Sequence, residues 1–176
     1  MIDRSRLRSI LSEAGRIALD MWPGAGRQVN SWQKSPGNPV CDADVAVDAF
    51  LKRELGALLP AAGWLSEETV DHPARLEGEL VWLVDPIDGT RDFLRGRPGW
   101  AVSVALLRGG RPLLGLLEAP ARAESWEAEA GAGAARNGEA LVASRRQGLP
   151  GARVPADTLP KADADLQPVP RANSIA

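Results

Sequence analysis

At 176 residues, 44% hydrophobic and 25% charged, the sequence has the make-up of one ordinary water-soluble domain with a sizeable core. A net charge of −2 and a pI near 5.5 exclude a general electrostatic affinity for nucleic-acid polymers or anionic membranes, so any phosphate must be held locally. The single cysteine, Cys41, excludes an internal disulfide; no stretch approaches the ~20 apolar residues of a membrane span or the apolar core of a signal peptide, which predicts a cytoplasmic protein.

Residues 3–22 are predicted as an amphipathic helix, because Leu7, Ile10, Leu11, Ala14, Ile17, Ala18 and Met21 recur at helical spacing until "WPGAG" ends it. Residues 30–40, "NSWQKSPGNPV", are predicted as a loop from their Asn, Ser, Pro and Gly content. A second helix is expected over 42–59, with Asp42 and Asp44 at its positive end and Val47, Phe50, Leu51, Glu54, Leu55, Leu58 and Leu59 along one largely apolar stripe. "GWLSEE" reads as a short strand ending in Glu67 and Glu68. The apolar run Leu80 to Val84 predicts a strand buried on both faces.

Residues 100–120 read as a hairpin turning at Gly109-Gly110. "ESWEAEA" adds a further strand, and "AGAGAARNGEAL" a Gly-rich turn. Two helices followed by mostly antiparallel strands predict an α+β fold, with helices layered on a sheet. Residues 148–170, with five prolines, read as a linker or an irregular excursion. In "RANSIA", Asn173 or Ser174 suits the cap of a helix that has no body, giving the expectation of a chain cut short.

The stretch "DPIDGT", residues 85–90, admits two readings. Asp-Pro and Asp-Gly are strong turn formers. Yet these acids end a strongly apolar strand, Glu67 and Glu68 end the strand before it, and Asp42 and Asp44 open a helix. Carboxylates gathered at strand ends repel one another and are costly to desolvate. A hard divalent cation relieves both costs, and Mg2+ prefers oxygen ligands.

His72 and Cys41 stand alone, so neither a zinc set nor a Ser-His-Asp triad is available, and no GxxxxGK[ST] loop exists. His72 reads as a surface histidine and Cys41 as a small buried residue. Gly89 permits close approach of backbone to a ligand. If "TRDFL" begins a helical turn, the N–H groups of Gly89, Thr90 and Arg91 face an anion. Thr90 either caps that turn or orients a water, with Asp44 accepting its proton. Taken together, these parts point to phosphoryl transfer to water.

With these residues in view, the sequence resembles the inositol monophosphatase superfamily, which includes inositol monophosphatases and 3'(2'),5'-bisphosphate nucleotidases. "WLVDPIDGTRDF" looks like its signature strand and metal turn, "LSEE" like its upstream glutamate motif, and "KSPGNPVCDAD" like its Lys-loop-Val-Thr-x-x-Asp segment, with Cys41 in place of Thr. "GRPLLGLLEAPARAESWEAEAGAGAARNG" is similar to its following hairpin and turn. The resemblance covers roughly residues 5–148.

The resemblance implies the N-terminal half of a layered αβαβα sugar-phosphatase fold. Residues 1–148 would form the metal- and phosphate-binding domain, and residues 149–176 a Pro-rich connection into an incomplete second αβ domain. It further implies two to three Mg2+ ions. Glu67, Asp85 and the Ile87 carbonyl would hold the first, Asp85 and Asp88 the second, and Glu67 would help hold a loosely bound third. Asp44 and Thr90 would activate the water, with Glu67 alongside them, and Gly89, Thr90 and Lys34 would contact phosphate.

The implied substrate is a small phosphorylated metabolite of the inositol monophosphate type, with adenosine 3',5'-bisphosphate as the rival. A homodimer is also implied. Arg91, Arg95 and Arg97 either meet a second phosphate or are simply solvated. The family closes its second metal site with an aspartate from a later Trp-Asp motif, and no Trp-Asp pair occurs in this sequence. That absence keeps open a non-catalytic metal- or phosphate-binding module.

Overall fold

The computed structural model describes residues 2–26, 28–69 and 78–148, together with the backbone of 153–155 and 167–169. His72, most of the Pro-rich stretch and the "RANSIA" segment lie outside the described residues. The chain divides into two compact units, residues 1–141 and 142–176. In the second, β10 (Arg153–Pro155) pairs in parallel with β11 (Gln167–Val169).

In the first unit, α1 spans Arg4–Met21. Asp3 caps it, its carboxylate accepting the Arg6 N–H at 2.9 Å, which satisfies one of the orphan donors of the first turn. Leu7, Ile10, Leu11, Ala14 and Ala18 form its buried face, as their spacing predicts. The second helix, α2 (Asp42–Leu58), buries Ala43, Val47, Leu51 and Leu55.

Both helices cover one face of a seven-stranded sheet ordered β3-β4-β5-β6-β7-β8-β9. Its strands are β3 (Gly63–Ser66), β4 (Leu80–Asp88), β5 (Ala101–Arg108), β6 (Arg111–Ala119), β7 (Glu124–Glu129), β8 (Gly133–Arg136) and β9 (Glu139–Ala140). Only the β3–β4 pairing is parallel; the others are antiparallel. The α+β layering expected from the element order is therefore what forms. No described helix is long and apolar enough to cross a membrane.

Cross-strand register explains the core. Trp82 lies opposite Leu106 and Val84 opposite Val104, and these continue to Leu114 and Leu116 on β6. All six are buried beneath the helices. Each such side chain removed from water stabilises the fold by ~1.5–3 kcal/mol.

Three expectations are corrected. The apolar run of β4 is not buried on both faces: Trp82 and Val84 are buried, while Leu83 between them remains 41% exposed. Successive strand residues point to opposite faces, and both helices lie on one of them. Residues 30–40 are not a loop but the hairpin β1 (Ser31–Ser35) and β2 (Asn38–Cys41), turning at Gly37 with φ +81°. Every residue of β1 is exposed, so backbone pairing rather than core burial holds that strand, and hydrophobic periodicity could not reveal it. The Gly-rich stretch after β7 is more than a turn, since it contains β8 and β9.

Candidate functional site

The site forms where β4 ends. Residues Asp85 and Asp88 are three apart, so in a regular strand their side chains would point to opposite faces. A bulge changes this. Asp85 lies opposite Ser103 and Asp88 opposite Ala101, so three steps on β4 match two on β5. The extra residue brings both carboxylates to the same face, a common use of bulges beside functional sites. Pro86, which has no N–H to give to a ladder, sits in the irregular stretch.

Gly89 then turns the chain into α3 (Thr90–Leu94). Its φ is +89°, and a Cβ there would stand 2.5 Å from the Gly99 carbonyl oxygen and 3.2 Å from the Trp100 Cα. Conformation and space both require glycine at this position. Gly89 is itself the N-cap of α3, so Thr90 does not cap it. The Thr90 hydroxyl instead lies 3.0 Å from the Ile87 carbonyl and 3.3 Å from Asp44 Oδ1.

Asp44 enters from the first turn of α2 and is 1% exposed. Its Oδ2 accepts the Cys41 N–H at 2.8 Å and the Cys41 thiol at 2.9 Å, a reciprocal cap that fixes the carboxylate. Cys41 thus donates through Sγ where the resembling motif has a threonine. Burial, then its bond to Asp44, pushes the Cys41 thiol up to about 12, so it stays protonated. Burial also raises Asp44, against the opposing effect of donors from Cys41 and Thr90 and of the Lys34 charge.

Glu67 follows β3, its N–H bonded to the Val84 carbonyl at 3.3 Å. A pocket of about 220 Å³ is lined by Glu67, Asp85, Ile87, Asp88, Gly89 and Thr90, joined by Asn38, Pro39 and Arg91. The fold therefore brings together most of the acids and backbone groups singled out from the sequence. Lys34 is not among the lining residues. Its ammonium pairs with the Glu68 carboxylate and donates to the Glu67 carbonyl at 3.0 Å. Arg91 donates to the Gly37 carbonyl at 2.6 Å, tying the β1–β2 hairpin to the rim, and Arg97 faces Asp92 at 3.7 Å. A larger groove of about 550 Å³ between α1 and β6–β7 is lined by Arg8, Glu118 and Trp126 and holds none of the predicted site residues.

The electrostatics of the pocket are unbalanced. Asp85 Oδ1 is buried with no hydrogen-bond partner. Burial, then repulsion from Asp88, Glu67, Asp44 and Glu68, pushes the Asp85 carboxyl up to about 7. Burial and Glu67 raise Asp88 as well. Burial likewise raises Glu68, against the Lys34 ammonium. An unpartnered buried carboxylate oxygen is costly unless something positive meets it.

Among the described residues no three acidic, thiol or imidazole groups close around one point as they stand. The carboxylates of Glu67, Asp85 and Asp88 and the backbone around Ile87 offer oxygen donors only, the donor type that Mg2+ prefers. They do not make a closed protein cage.

Sequence reasoning missed Asp48. It is buried one turn after Asp44, and its carboxylate accepts the hydroxyls of Ser66 and Thr69, the latter at 2.6 Å. Its signal was an acid four residues after Asp44, on the same face of an apolar helix.

The model of the inositol monophosphatase family matches residues 5–172. The chain is 36% identical over 135 residues to the histidinol-phosphatase of Chlorobaculum parvum, covering 77% of this chain and 51% of that protein. It is 33% identical over 129 residues to the 3'(2'),5'-bisphosphate nucleotidase CysQ of Salmonella typhimurium, covering 67% and 51%. The crystal structure of the extragenic suppressor protein suhB from Bartonella henselae superposes with a TM-score of 0.77 at 30% identity, covering 85% of this chain and 57% of that one. The chain spans about half the length of the curated relatives it matches.

Proposed function

Because the chain belongs to the inositol monophosphatase family, we propose that it carries the metal and phosphate site of a Mg2+-dependent phosphomonoesterase acting on a small phosphorylated metabolite. The observation that carries this reading is the buried, unpartnered Asp85 Oδ1 in a pocket it shares with Glu67, Asp88 and the Ile87 backbone. Glu67, Asp85 and the Ile87 carbonyl would hold one Mg2+, and Asp85 with Asp88 a second; Glu67 would help hold a third. When bound, Mg2+ supplies positive charge to the phosphate oxygens and lowers the pKa of a water.

The chain's own residues do the rest. Asp44 is buried, and its Oδ1 accepts from Thr90, so a proton leaving the Thr90 hydroxyl has a carboxylate to move to. Thr90 Oγ1 would accept a hydrogen bond from the attacking water and orient it; as the water attacks, its proton passes to Thr90 Oγ1 while the Thr90 hydroxyl proton passes to Asp44. Gly89 and Thr90, at the mouth of α3, would hold the phosphate by their N–H groups, helped by the absence of a side chain at Gly89. Lys34, which in this structure pairs with Glu68 and donates to the Glu67 carbonyl, would contribute its positive charge to the phosphate beside these acids.

Release of inorganic phosphate tests the reading. Inositol monophosphate, adenosine 3',5'-bisphosphate and histidinol phosphate are assayed separately with and without Mg2+, using Asp88→Asn as the blank. Mg2+-dependent release above the blank from any of the three supports the reading, and inositol monophosphate is the expected substrate. One observation favours a second reading, a metal- or phosphate-binding unit without turnover: among the described residues no three acidic, thiol or imidazole side chains close around one point. Mg2+ binding with no release from any of the three substrates would select it.

A further inference from the structure

The Glu67 carboxylate belongs to a short turn, and that turn is held from α2. Ser66 Oγ and Thr69 Oγ1 donate to the two different oxygens of Asp48, the Thr69 bond measuring 2.6 Å. Ser66 Oγ in turn accepts the Glu68 N–H at 3.2 Å. One buried carboxylate thus brackets Glu67 and Glu68, taking a hydroxyl from the residue before them and another from the residue after. A buried carboxylate whose two oxygens each accept a hydroxyl is a strong anchor, because both ends of the group are held.

Asp48 also lies one helical turn after Asp44, so α2 carries two inward carboxylates on one face, four residues apart. The first meets Thr90 and the second meets the Glu67 turn. A single rigid helix therefore sets the spacing between two parts of the pocket that are far apart in sequence.

We propose that Asp48 is a positioning residue: through Ser66 and Thr69 it fixes the turn that aims Glu67 into the pocket, and so sets the affinity for the cation there. The inference rests on the Mg2+ reading above. Asp48 does not line the pocket and would act through the turn it holds. Outer partners that orient metal-binding side chains typically govern about 10–100-fold in metal affinity.

The test is calorimetric titration of Mg2+ into the full chain and into its Asp48→Asn and Thr69→Val variants, each first shown to have the parent circular-dichroism spectrum at the titration temperature. Matched spectra remove a merely structural loss from the comparison. Asp48→Asn is expected to weaken Mg2+ binding about ten-fold or more, and Thr69→Val to weaken it less but in the same direction. If Asp48→Asn does not fold, Thr69→Val decides alone. Folded variants that bind Mg2+ within about two-fold of the parent overturn the role of Asp48 and leave the metal reading intact. A parent chain that binds no Mg2+ overturns the metal reading, and this inference with it.

Discussion

Thr90 Oγ1 stands 3.3 Å from Asp44 Oδ1 and 3.0 Å from the Ile87 carbonyl, so one hydroxyl proton lies between two acceptors from different elements. That arrangement poises the hydroxyl for transfer towards a buried carboxylate. In any form of the protein that hydrolyses a phosphomonoester, Thr90→Val and Asp44→Asn should each lower kcat by about 10²–10⁴-fold. Thr90→Ser, which keeps the hydroxyl, should retain most of it. Steady-state kinetics on the four proteins decide, and a Thr90→Val enzyme close to the parent would exclude the proton route.

Gly89→Ala should destabilise the fold as well as damage the site. The substitution forces φ +89° on a residue with a Cβ and drives that carbon to 2.5 Å from the Gly99 carbonyl. A loss of ~2–4 kcal/mol is expected in urea unfolding. An unchanged midpoint would mean that the Gly99–Trp100 segment moves aside freely.

Acid in the pocket gives a sign to the pH dependence. Asp85 titrates at about 7 against an ordinary value of 3.8, because burial and then its acidic neighbours disfavour the ionised form. A carboxyl whose pKa is higher folded than unfolded stabilises the fold at low pH and loses that contribution as pH rises through the folded value. Without metal, this group should therefore make the chain less stable between about pH 4 and about pH 7. Asp85→Asn should flatten that fall, and saturating Mg2+ should oppose it. Denaturant titrations across the range, with and without Mg2+, measure both effects.

The helical layer gives an independent check. Leu51 on α2 is fully buried in the core shared with the sheet. Leu51→Ala should cost ~2–5 kcal/mol of unfolding free energy.

What could be read from residues alone follows from which signals are local. Leu7, Ile10, Leu11 and Ala14 mark the buried stripe of α1 because helix burial repeats with a period the sequence displays. Glu67, Asp85 and Asp88 stood out because carboxylates following apolar strands are conspicuous, and Thr90 because it follows Asp-Gly at the start of a helical turn. The bulge was not legible, since it depends on how Asp88 pairs with Ala101 across the sheet. The hairpin of β1 and β2 was hidden because Trp32, Lys34 and their neighbours contribute nothing to the core. Partners separated by long stretches of chain were hidden too: Asp48 meets Thr69 across 21 residues, and Lys34 meets Glu68 across 34. Lys34 read as a phosphate contact; its pairing with Glu68 is a further relationship that only the fold shows.

The central claim is that the pocket of Glu67, Asp85 and Asp88 binds Mg2+. Calorimetric titration of Mg2+ into the parent chain and into Asp85→Asn, at a pH where Asp85 is ionised, tests it most directly. The account predicts saturable binding by the parent that Asp85→Asn abolishes. A parent with no saturable binding, or an Asp85→Asn variant that binds as tightly as the parent, would contradict it.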